Sequence, residues 1–491
     1  MTMASSISSK SSKIQKNYSP SSHGTLCKSV SISGLLIFLF CIFFLNPPSN
    51  YQPSSRLLST SSCPTTTTIS PNSPTNISHI VFGIISALNT WNSRKPYVES
   101  WWRPNITRGY LFLDGPPTLE FQPWPSNLPP LRVSEDVRKI PTFLKMANLI
   151  PIRIVRTIIE VFRQGDKNVR WYVMGDDDTI FFLDNLVGVL AKYNHSKYYY
   201  IGSFSDNVKS NTDFSFDMAF GGAGYALSYP LVEALAANLD NCIERYPKPH
   251  FSDVLLHSCL ADLGVPLTLE KGFHQIDMRN DTTGFLSAQP QTPFLSYHHI
   301  DAIHPIFPSM NRSEAINHLM KAAKADQSRL LQQTICYHRP TNWSFSVSWG
   351  YSAYIYENII PRSILCRPLE TFTKWRGKAE PLFMFHSRPL SSDPCQAPHV
   401  FFFDSIELTQ GDEQFVTTYI RKSPRGLPNC SSTGNHSADA ITKIQVLSPA
   451  TTRLEAGGRE CCDIEYVGAG TTSSAVTQVK YRPCLKDEVI A

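Results

Sequence analysis

Continuous apolar segments that alternate with amphipathic ones constrain the fold of this chain more than any other feature. Residues 79–85 read HIVFGII, which predicts a buried strand, and the amphipathic segment around residues 95–102 predicts a helix. A second strand is predicted at residues 109–113, followed by a helix at 152–164 and a strand at 169–174. Because parallel strands need long crossover connections, this order predicts an α/β domain built on a parallel sheet.

The alternation ends in the second half of the chain. Before that point, it adds predicted helices and a strand: 183–193, 230–239 and 254–263 for the helices and 198–201 for the strand. After about Pro308 helical periodicity fades, and residues 343–356 are rich in β-branched and aromatic side chains. We therefore predict an α/β domain over residues 79–329 and a smaller, β-rich, cysteine-containing region over residues 330–491.

Residues 35–45 form an apolar run, LLIFLFCIFFL, which extends weakly back to residue 30. About sixteen helical residues cover about 24 Å of a hydrocarbon core near 30 Å, so the alternatives are a short membrane anchor and the core of a signal peptide. Asn46, Pro47 and Pro48 follow the run, where a cleavage site would need small residues, and the preceding segment is long for a signal peptide. These features favour an uncleaved anchor.

Charge gives this anchor an orientation. Without the four lysines that precede the anchor, 41 Lys and Arg balance 40 Asp and Glu, so no nucleic-acid-binding surface is indicated. Those lysines are Lys10, Lys13, Lys16 and Lys28. The positive-inside rule then predicts a cytosolic tail at residues 1–29, a transmembrane signal-anchor at 30–45 and a lumenal body. Residues 46–78 are mostly Ser, Thr, Pro and Asn, which predicts an extended stem.

Cysteines and glycosylation sequons agree with a lumenal body. Ten of the 12 cysteines follow the apolar run, and in an oxidising lumen this even number predicts disulfides. Their connectivity stays open, and a set of buried free thiols is the alternative. The N-glycosylation sequons lie at Asn76, Asn105, Asn194, Asn280, Asn311, Asn342, Asn429 and Asn435.

Three consecutive aspartates, Asp176, Asp177 and Asp178, follow the predicted strand at residues 169–174. In an open α/β sheet, ligands bind at the carboxyl ends of the strands. Clustered carboxylates repel one another unless a cation compensates them, and oxygen ligands suit Mg²⁺ or Mn²⁺. A metal there could bridge the two phosphates of a nucleotide-sugar. The alternative is a solvated acidic turn that caps the next helix.

A glycine-rich turn lies about 45 residues further on, at residues 218–228, which read MAFGGAGYALS. The small residues Gly222, Ala223 and Gly224 would let the backbone approach a ligand closely, and Tyr225 could supply an aromatic wall. A turn of this kind is a weak signal when it stands alone.

Further polar residues follow within one domain's length. Asp253 precedes the predicted helix at 254–263, where a carboxylate can serve as a general base or merely cap the helix. His274 and His298 are candidates to complete a metal shell, although a single histidine is more often structural.

In this order, the motifs resemble the fringe and β-1,3-galactosyltransferase-like superfamily, glycosyltransferase family 31. The resemblance covers about residues 79–310 and is greatest to plant fringe-related proteins of a domain family of unknown function. It rests on Asp-Asp-Asp after a strand, Tyr-Ile-Gly-Ser at 200–203, Phe-Gly-Gly-Ala-Gly-Tyr at 220–225, Asp253, Gly-Phe-His at 272–274, and tail motifs at 332–336, 346–350 and 461–462.

The resemblance implies a GT-A (Rossmann-like) fold, a single-pass type II Golgi membrane topology, Mn²⁺ dependence, a UDP-sugar donor and inversion at the anomeric carbon. By motif position it assigns metal binding to Asp176 and Asp178, and the catalytic base to Asp253. The metal histidine would be His298 by the core-1-type pattern, which we favour, or His274 by the fringe-like pattern. The implied donor-binding residues are Asp114, Asp176, Asp177, Gly222, Ala223, Gly224 and Tyr225.

The leading hypothesis is therefore a Golgi enzyme that transfers a hexose or N-acetylhexosamine from UDP to a hydroxyl of a glycan or glycoprotein, in a β-1,3 linkage. Many relatives carry two acidic residues where this chain has only Asp253, between Ser252 and Val254. A catalytically inactive, membrane-anchored sugar or glycoprotein binder on the same scaffold is accordingly an alternative. A metal-dependent lumenal hydrolase is a third.

Overall fold

The computed structural model describes residues 73–490, with gaps at 147, 376–380, 410, 412, 431–436, 454–458 and 468–474. The predicted cytosolic tail, the anchor at 30–45 and most of the predicted stem lie outside these described residues. Within them, no helix is both long and apolar enough to cross a membrane. The last residues of the predicted stem contact the folded domain, because Arg170 donates hydrogen bonds to the backbone carbonyl of Ser73 and to Thr75 Oγ1.

The helices and strands alternate in the first part of the described chain, whereas strands predominate in the second. The helices are α1 (Leu88–Trp101), α2 (Ile150–Phe162), α3 (Leu183–Leu190), α4 (Val208–Asp213), α5 (Tyr229–Arg245), α6 (Ser252–Asp262), α7 (Thr283–Ala288), α8 (Arg312–Ala325) and α9 (Arg362–Leu365). The strands of the first part are β1 (Ile80–Ile85), β2 (Arg108–Leu113), β3 (Leu131–Val133), β4 (Trp171–Asp176), β5 (Ile180–Phe181), β6 (Tyr200–Gly202), β7 (Tyr225–Ser228), β8 (Leu267–Leu269), β9 (Phe273–His274), β10 (Met278–Asn280) and β11 (Ser296–Tyr297).

The strands of the second part belong mainly to one sheet. They are β12 (Gln333–His338), β13 (Trp343–Ser348), β14 (Ser352–Tyr356), β15 (Phe372–Lys374), β16 (His399–Thr409), β17 (Gln414–Arg421), β18 (Ile441–Pro449), β19 (Glu460–Val467) and β20 (Ala475–Pro483). The predicted strands and helices of the first part match observed ones within a few residues, with two exceptions: α1 begins seven residues before the predicted start at residue 95, and α5 extends six residues beyond the predicted end at residue 239.

The central sheet has the strand order β3-β2-β1-β4-β7-β6-β8. Strands β3, β2, β1 and β4 are parallel, but β7 runs antiparallel to both of its neighbours. The predicted parallel sheet is therefore correct for β3, β2, β1 and β4 but wrong for β7, because the chain turns back beside β6 to form β7 instead of crossing over the sheet. The reversal pairs Met174 with Tyr225, so the carboxyl end of β4 and the amino end of β7 meet at one edge.

Helices cover both faces of this sheet. Helix α2 begins with Pro151 in its first turn and buries Ile152, Val155 and Ile158 against the face that also carries Val81. Helices α5 and α6 pack beside it, and the Cys242–Cys259 disulfide joins them. The alternate residues of β1, Ile80, Phe82 and Ile84, belong to the core of the other face together with α1 and α8.

The second part forms an eight-stranded sheet in the order β12-β13-β14-β16-β17-β18-β20-β19, in which only the β18–β20 pair is parallel. The β-branched and aromatic residues of 343–356 form β13 and β14, as their composition predicts. Three disulfides link this part of the chain, namely Cys336–Cys462, Cys395–Cys430 and Cys461–Cys484. With Cys242–Cys259 they confirm the predicted disulfides, and Cys366 is a free thiol.

One piece of the second part returns to the first. We call residues 366–375 and 381–388 the return segment. Its strand β15 pairs with β10, and Phe383 forms a β-bridge with Asn207. This segment brings Trp375 and Met384 against the loops at the edge of the central sheet, where the candidate site lies. The predicted boundary between residues 329 and 330 stays a prediction.

Candidate functional site

Asp176, Asp178 and His298 form a cluster whose ligand atoms all lie within 4.8 Å of one another. Asp176 ends β4 and Asp178 follows in the turn, while His298 comes directly after β11. Strand β11 pairs antiparallel with β5, so Tyr297 lies opposite Ile180 and the next residue faces the acidic turn. His298 Nε2 is 3.2 Å from Asp178 Oδ1 and 3.8 Å from Asp176 Oδ2.

The hydrogen bonding of the cluster fits a cation. Asp178 is 1% exposed, and its carboxylate oxygens have Arg94 at 3.1 Å and His298 at 3.2 Å as ion-pair neighbours but accept no hydrogen bond of good geometry from a described residue. Nδ1 of His298 also lacks a partner among these residues. Buried polar atoms are nearly always hydrogen-bonded, so a buried carboxylate that has ion-pair neighbours but no well-aligned hydrogen bond can accept a further cation. Two carboxylates and an imidazole form a donor set that suits a divalent metal such as Mn²⁺.

The pKa values differ between the two carboxylates of the cluster. Burial raises the pKa of Asp176 to about 7, and Asp178 beside it contributes in the same direction. Burial alone would raise the pKa of Asp178, but the neighbouring His298 holds it well below its usual range. For His298, burial lowers the pKa, yet Asp178 more than offsets this and the net shift is upward. The pair Asp178 and His298 is thus stabilised in its charged form.

The glycine-rich turn makes room for this cluster. A Cβ atom on Gly222 would lie 2.2 Å from Cε1 of His298, and one on Gly221 would lie 2.5 Å from Oδ1 of Asp253. Thr179 Oγ1 donates a hydrogen bond to the Gly222 carbonyl at 2.7 Å. This bond links the glycine-rich turn to the acidic turn that contains the three aspartates. Both glycines are required here because any side chain would displace a functional group.

Two cavities meet at Asp253. The inner cavity, of about 170 Å³, is lined by Asp176, Gly222, Tyr225 and His298 among others. The outer cavity, of about 230 Å³, has an aromatic wall composed of Phe214, Phe220, Phe251 and Trp375. Both are lined by Asp253, Gln275 and His299. Asp253 therefore lies between the inner cavity, which contains candidate metal ligands, and the outer cavity with its aromatic wall.

Asp253 has the properties of a proton acceptor near neutral pH. Burial raises the pKa of its carboxyl group to about 6, although a hydrogen bond from the Gly221 backbone partly opposes the shift. The residue lies in the first turn of α6, where the sequence left a helix cap as the alternative. A carboxyl group poised just below neutrality can lose its proton at pH 7 and accept one from a substrate.

Asp177 lines neither the inner nor the outer cavity. It is 1% exposed, accepts a hydrogen bond from Ser86 Oγ at 2.7 Å, and pairs with Arg94 at 2.9 Å. Arg94 also forms ion pairs with Asp178 Oδ2 at 3.1 Å and Asp301 at 3.0 Å. The middle aspartate thus anchors the acidic turn to α1, and it is not among the residues that line the cavity where the sequence predicted donor contacts.

The other implied donor-binding residues divide into two groups. Gly222 and Tyr225 line the inner cavity with Asp176, whereas Ala223 and Gly224 are not among its lining residues. The Ala223 backbone N–H donates a hydrogen bond to Gln275 Oε1 at 2.8 Å. Gly224 has a φ of +83°, and a Cβ there would lie 2.8 Å from the Phe181 ring. Both residues therefore contribute to the conformation of the glycine-rich turn without lining the inner cavity.

Two predicted residues lie apart from the cluster. Asp114 is exposed and accepts a hydrogen bond from the Leu88 backbone N–H at the start of α1, at 2.9 Å. His274 Nδ1 lies 3.1 Å from Asp206 Oδ1, and its ring stacks on Phe294. Of the two candidate histidines, the structure brings His298 to the aspartates.

The sequence of this chain also matches known families. A family model described as "Protein of unknown function, DUF604" matches residues 210–462, which is just over half of the chain. The chain belongs to this family.

Curated relatives match a shorter part of this family member. A β-1,3-glucosyltransferase of Mus musculus is 27% identical over 147 residues, and one of Homo sapiens is 28% identical over 152 residues. Each match covers 30% of this chain and 29% of the relative. Together with the family match they confirm the resemblance to the fringe and β-1,3-glycosyltransferase-like proteins.

Several residues at the site of this DUF604 protein were not predicted. Arg94 lies on a helix about eighty residues before the aspartates that it contacts, and no local pattern marks it. Trp375 comes from the return segment and stacks on His299 at a centroid distance of 4.6 Å. His299 Nδ1 in turn lies 2.9 Å from Asp277 Oδ1. The His298-His299 doublet is the one signal in the sequence that could have indicated a second histidine here.

Proposed function

We propose that this chain is a metal-dependent inverting glycosyltransferase with a GT-A fold, and that it transfers a hexose or N-acetylhexosamine from a UDP-sugar to an acceptor hydroxyl in a β-1,3 linkage. One observation carries the proposal: Asp253 lines both the cavity that is lined by Asp176 and His298 of the metal-capable cluster and the cavity with the aromatic wall. A transferase that works by a single displacement needs a base between its donor and its acceptor. The glycosyltransferase relatives support the class of reaction.

In this proposal the inner cavity receives the donor. Asp176, Asp178 and His298 would hold Mn²⁺, and Tyr225 would form part of the wall beside the donor. When bound, the cation supplies Lewis-acid stabilisation of the charge that develops on the departing diphosphate. Arg94 keeps Asp178 in place through its ion pair, and it offsets part of the negative charge of the acidic turn.

The outer cavity receives the acceptor. Aromatic side chains such as Phe251, which is 50% exposed, offer an apolar surface to the C–H face of a sugar ring. The acceptor hydroxyl then reaches Asp253, whose carboxylate takes the proton as the new glycosidic bond forms. Asp277 also lines this cavity, but Ser205 donates a hydrogen bond to it and His299 contacts it, so Asp253 is the better base.

We further propose that the protein is a single-pass type II membrane protein of the Golgi with a lumenal catalytic part and a glycan or glycoprotein acceptor. The four disulfides support an oxidising compartment for the described residues. Protease protection of a C-terminal tag in sealed vesicles tests the orientation, and digestion of the tag without detergent would contradict it.

Sugar-nucleotide screening tests the proposed reaction. The full-length chain in detergent is incubated with Mn²⁺, individual UDP-sugars and a mixture of glycan acceptors, and released UDP and new glycosides are measured. We expect UDP release that requires both Mn²⁺ and an acceptor. UDP binding without transfer to any acceptor would instead support an inactive binder, and release of free sugar without an acceptor would support a hydrolase.

A further inference from the structure

A third cavity, of about 460 Å³, lies between the first part of the chain and the return segment, and we call it the tail cavity. It is larger than the inner and outer cavities and shares no lining residue with either. His274 lines it, whereas the next residue, Gln275, lines the two cavities at Asp253. Neighbouring residues of one short segment thus serve separate cavities.

The tail cavity is basic. Lys271 and Arg367 contribute two permanent cations, and His274 and His386 contribute imidazoles, while no carboxylate side chain lines the cavity. Neither Lys271 nor Arg367 forms an ion pair with any residue that the structure describes. The whole chain has a net charge of only +5, so this is a local concentration of unpaired positive charge that favours an anionic ligand.

The remaining lining suits a sugar more than a bare ion. Gln289 and Gln291 provide amide groups, and Thr292 and Ser363 provide hydroxyl groups, all of which can hydrogen-bond sugar hydroxyls. Phe385 adds an aromatic surface that a pyranose ring can contact through its C–H bonds. Cations, amides and an aromatic ring together match an anion that also carries many hydroxyl groups.

Hydrogen bonds and ring contacts fix the walls of the cavity. The Met384 backbone N–H donates to the Asp206 carbonyl at 3.0 Å, and the Asp206 carboxylate in turn contacts His274 Nδ1. The Phe385 ring packs on Phe285 at 5.5 Å. Gln333 Nε2 donates to the Leu365 carbonyl at 2.9 Å, which holds the turn that carries Arg367. The return segment is therefore a built wall of the cavity.

His274 adds an unsatisfied polar atom to this wall. Its side chain is 7% exposed, Nδ1 faces Asp206, and Nε2 has no hydrogen-bond partner among the described residues. A buried ring nitrogen without a partner is uncommon, and a ligand in the adjoining cavity could supply one.

We propose that the tail cavity is a binding site for an acidic oligosaccharide, one whose sugar units carry carboxylate groups. Lys271 and Arg367 pair with the carboxylates, the glutamines and hydroxyls bind the ring hydroxyls, and Phe385 packs against a ring. The site is separate from the proposed donor and acceptor cavities, so the inference does not depend on the proposed transferase reaction. It gives the chain a second contact with glycans, through its tail.

Calorimetry with the full-length chain in detergent tests this proposal. The probes are tetragalacturonate, a neutral galactose tetrasaccharide of the same length, and inorganic phosphate and sulfate. We expect tetragalacturonate to bind, with an affinity that falls as salt rises, and the neutral tetrasaccharide to bind at least tenfold more weakly. The Lys271→Gln/Arg367→Gln variant should lose at least tenfold in tetragalacturonate affinity, whereas Lys271→Arg/Arg367→Lys should retain most of it.

Two controls separate this site from general charge and from the candidate active site. Arg138→Gln/Lys192→Gln removes two exposed basic residues outside the tail cavity and should leave tetragalacturonate affinity unchanged. Asp178→Asn should also leave it unchanged, whatever happens to UDP binding. Thermal unfolding of each variant verifies that it folds.

Three results would overturn the proposal. Equal binding of the neutral tetrasaccharide would remove the role of the carboxylates, and unchanged binding by Lys271→Gln/Arg367→Gln would place the ligand elsewhere. Phosphate or sulfate that binds as tightly as tetragalacturonate and displaces it would reduce the cavity to a simple anion site.

Discussion

Two buried carboxylates, Glu357 in the second part of the chain and Asp178 in the first, are surrounded in opposite ways. Glu357 accepts hydrogen bonds from the backbone N–H groups of Cys430 at 2.9 Å and Ala438 at 2.8 Å. Ser437 Oγ donates a third, and His399 and Arg425 complete its surroundings. Asp178 accepts no hydrogen bond from a described residue.

The contrast teaches how to distinguish a structural carboxylate from a functional one. Burial alone would raise the pKa of Glu357, but the hydrogen bonds from Cys430 and Ala438 lower it to about 2. Hydrogen bonds from the protein thus compensate its charge, as expected for a group that holds loops together. Asp178 has only ion-pair neighbours. Because its oxygens accept no hydrogen bond from a described residue, they can coordinate a ligand. Burial by itself would not have separated these two cases.

The largest expected effect concerns catalysis beside the unsatisfied cluster. Asp253→Asn keeps the size of the side chain but cannot accept a proton, so transfer should fall by about 10² to 10⁴-fold. Donor binding should stay close to that of the wild type. Steady-state kinetics and UDP calorimetry on the same preparations measure both quantities. Wild-type turnover in this variant would show that Asp253 only caps α6.

The second prediction concerns Glu357, the structural carboxylate, and its contribution to stability. Glu357→Gln removes the charge that Arg425 and several donors surround, and its amide N–H groups would oppose a donor. We expect the free energy of unfolding to fall by about 3 to 5 kcal/mol, measured by denaturant titration. The specific activity of the molecules that remain folded should be unchanged. A loss of activity without loss of stability would make Glu357 functional and erase the contrast.

A smaller effect is expected from the glycine that makes room for the metal histidine. In Gly222→Ala the new methyl group would overlap the His298 ring, so the imidazole must shift and Mn²⁺ affinity should fall by about 10 to 100-fold. Gly188→Ala is the matched control, because a Cβ at Gly188 meets no atom within 4 Å. That control should leave Mn²⁺ affinity as it is. Equal affinities in the two variants would place the metal away from His298.

Titration should separate the functional carboxylate Asp253 from the structural carboxylate Glu357 without any mutation. The pKa of Asp253 is raised to about 6, so transfer should fall roughly tenfold for each pH unit below 6 as this base becomes protonated. The pKa of Glu357 is lowered from 4.5 to about 2, so its contribution to stability is fully present above pH 4.5 and is lost only as pH falls toward 2. Between pH 4.5 and 6, activity should therefore decline in a protein that is still folded, which rate and circular dichroism measurements at each pH can check.

Local patterns in the sequence predicted much of the fold and part of the candidate site. The apolar run before Asp176 and the small residues around Gly222 are short-range signals, and strand pairing brings them to one edge of the sheet. Strand β7 was not predicted, because residues 218–228 were interpreted as a glycine-rich turn, and the antiparallel direction of this strand was therefore missed as well.

Long-range contacts explain what the sequence could not predict. Asp177 and Asp178 look alike in the sequence, yet Ser86 donates a hydrogen bond to Asp177, while Arg94 forms ion pairs with both aspartates from a helix about eighty residues away. Trp375 reaches the outer cavity only because β15 pairs with β10. These positions depend on tertiary packing, which helical or strand periodicity in the sequence does not reveal.

Mn²⁺ binding to the purified chain tests the central claim most directly, namely that the unsatisfied carboxylate is a metal ligand. Calorimetric titration of Mn²⁺ alone would be compared for wild type, Asp178→Asn and Glu357→Gln. We predict one site per chain in the wild type, retained in Glu357→Gln and weakened by at least tenfold in Asp178→Asn. Equal Mn²⁺ affinity in the wild type and Asp178→Asn would contradict the account.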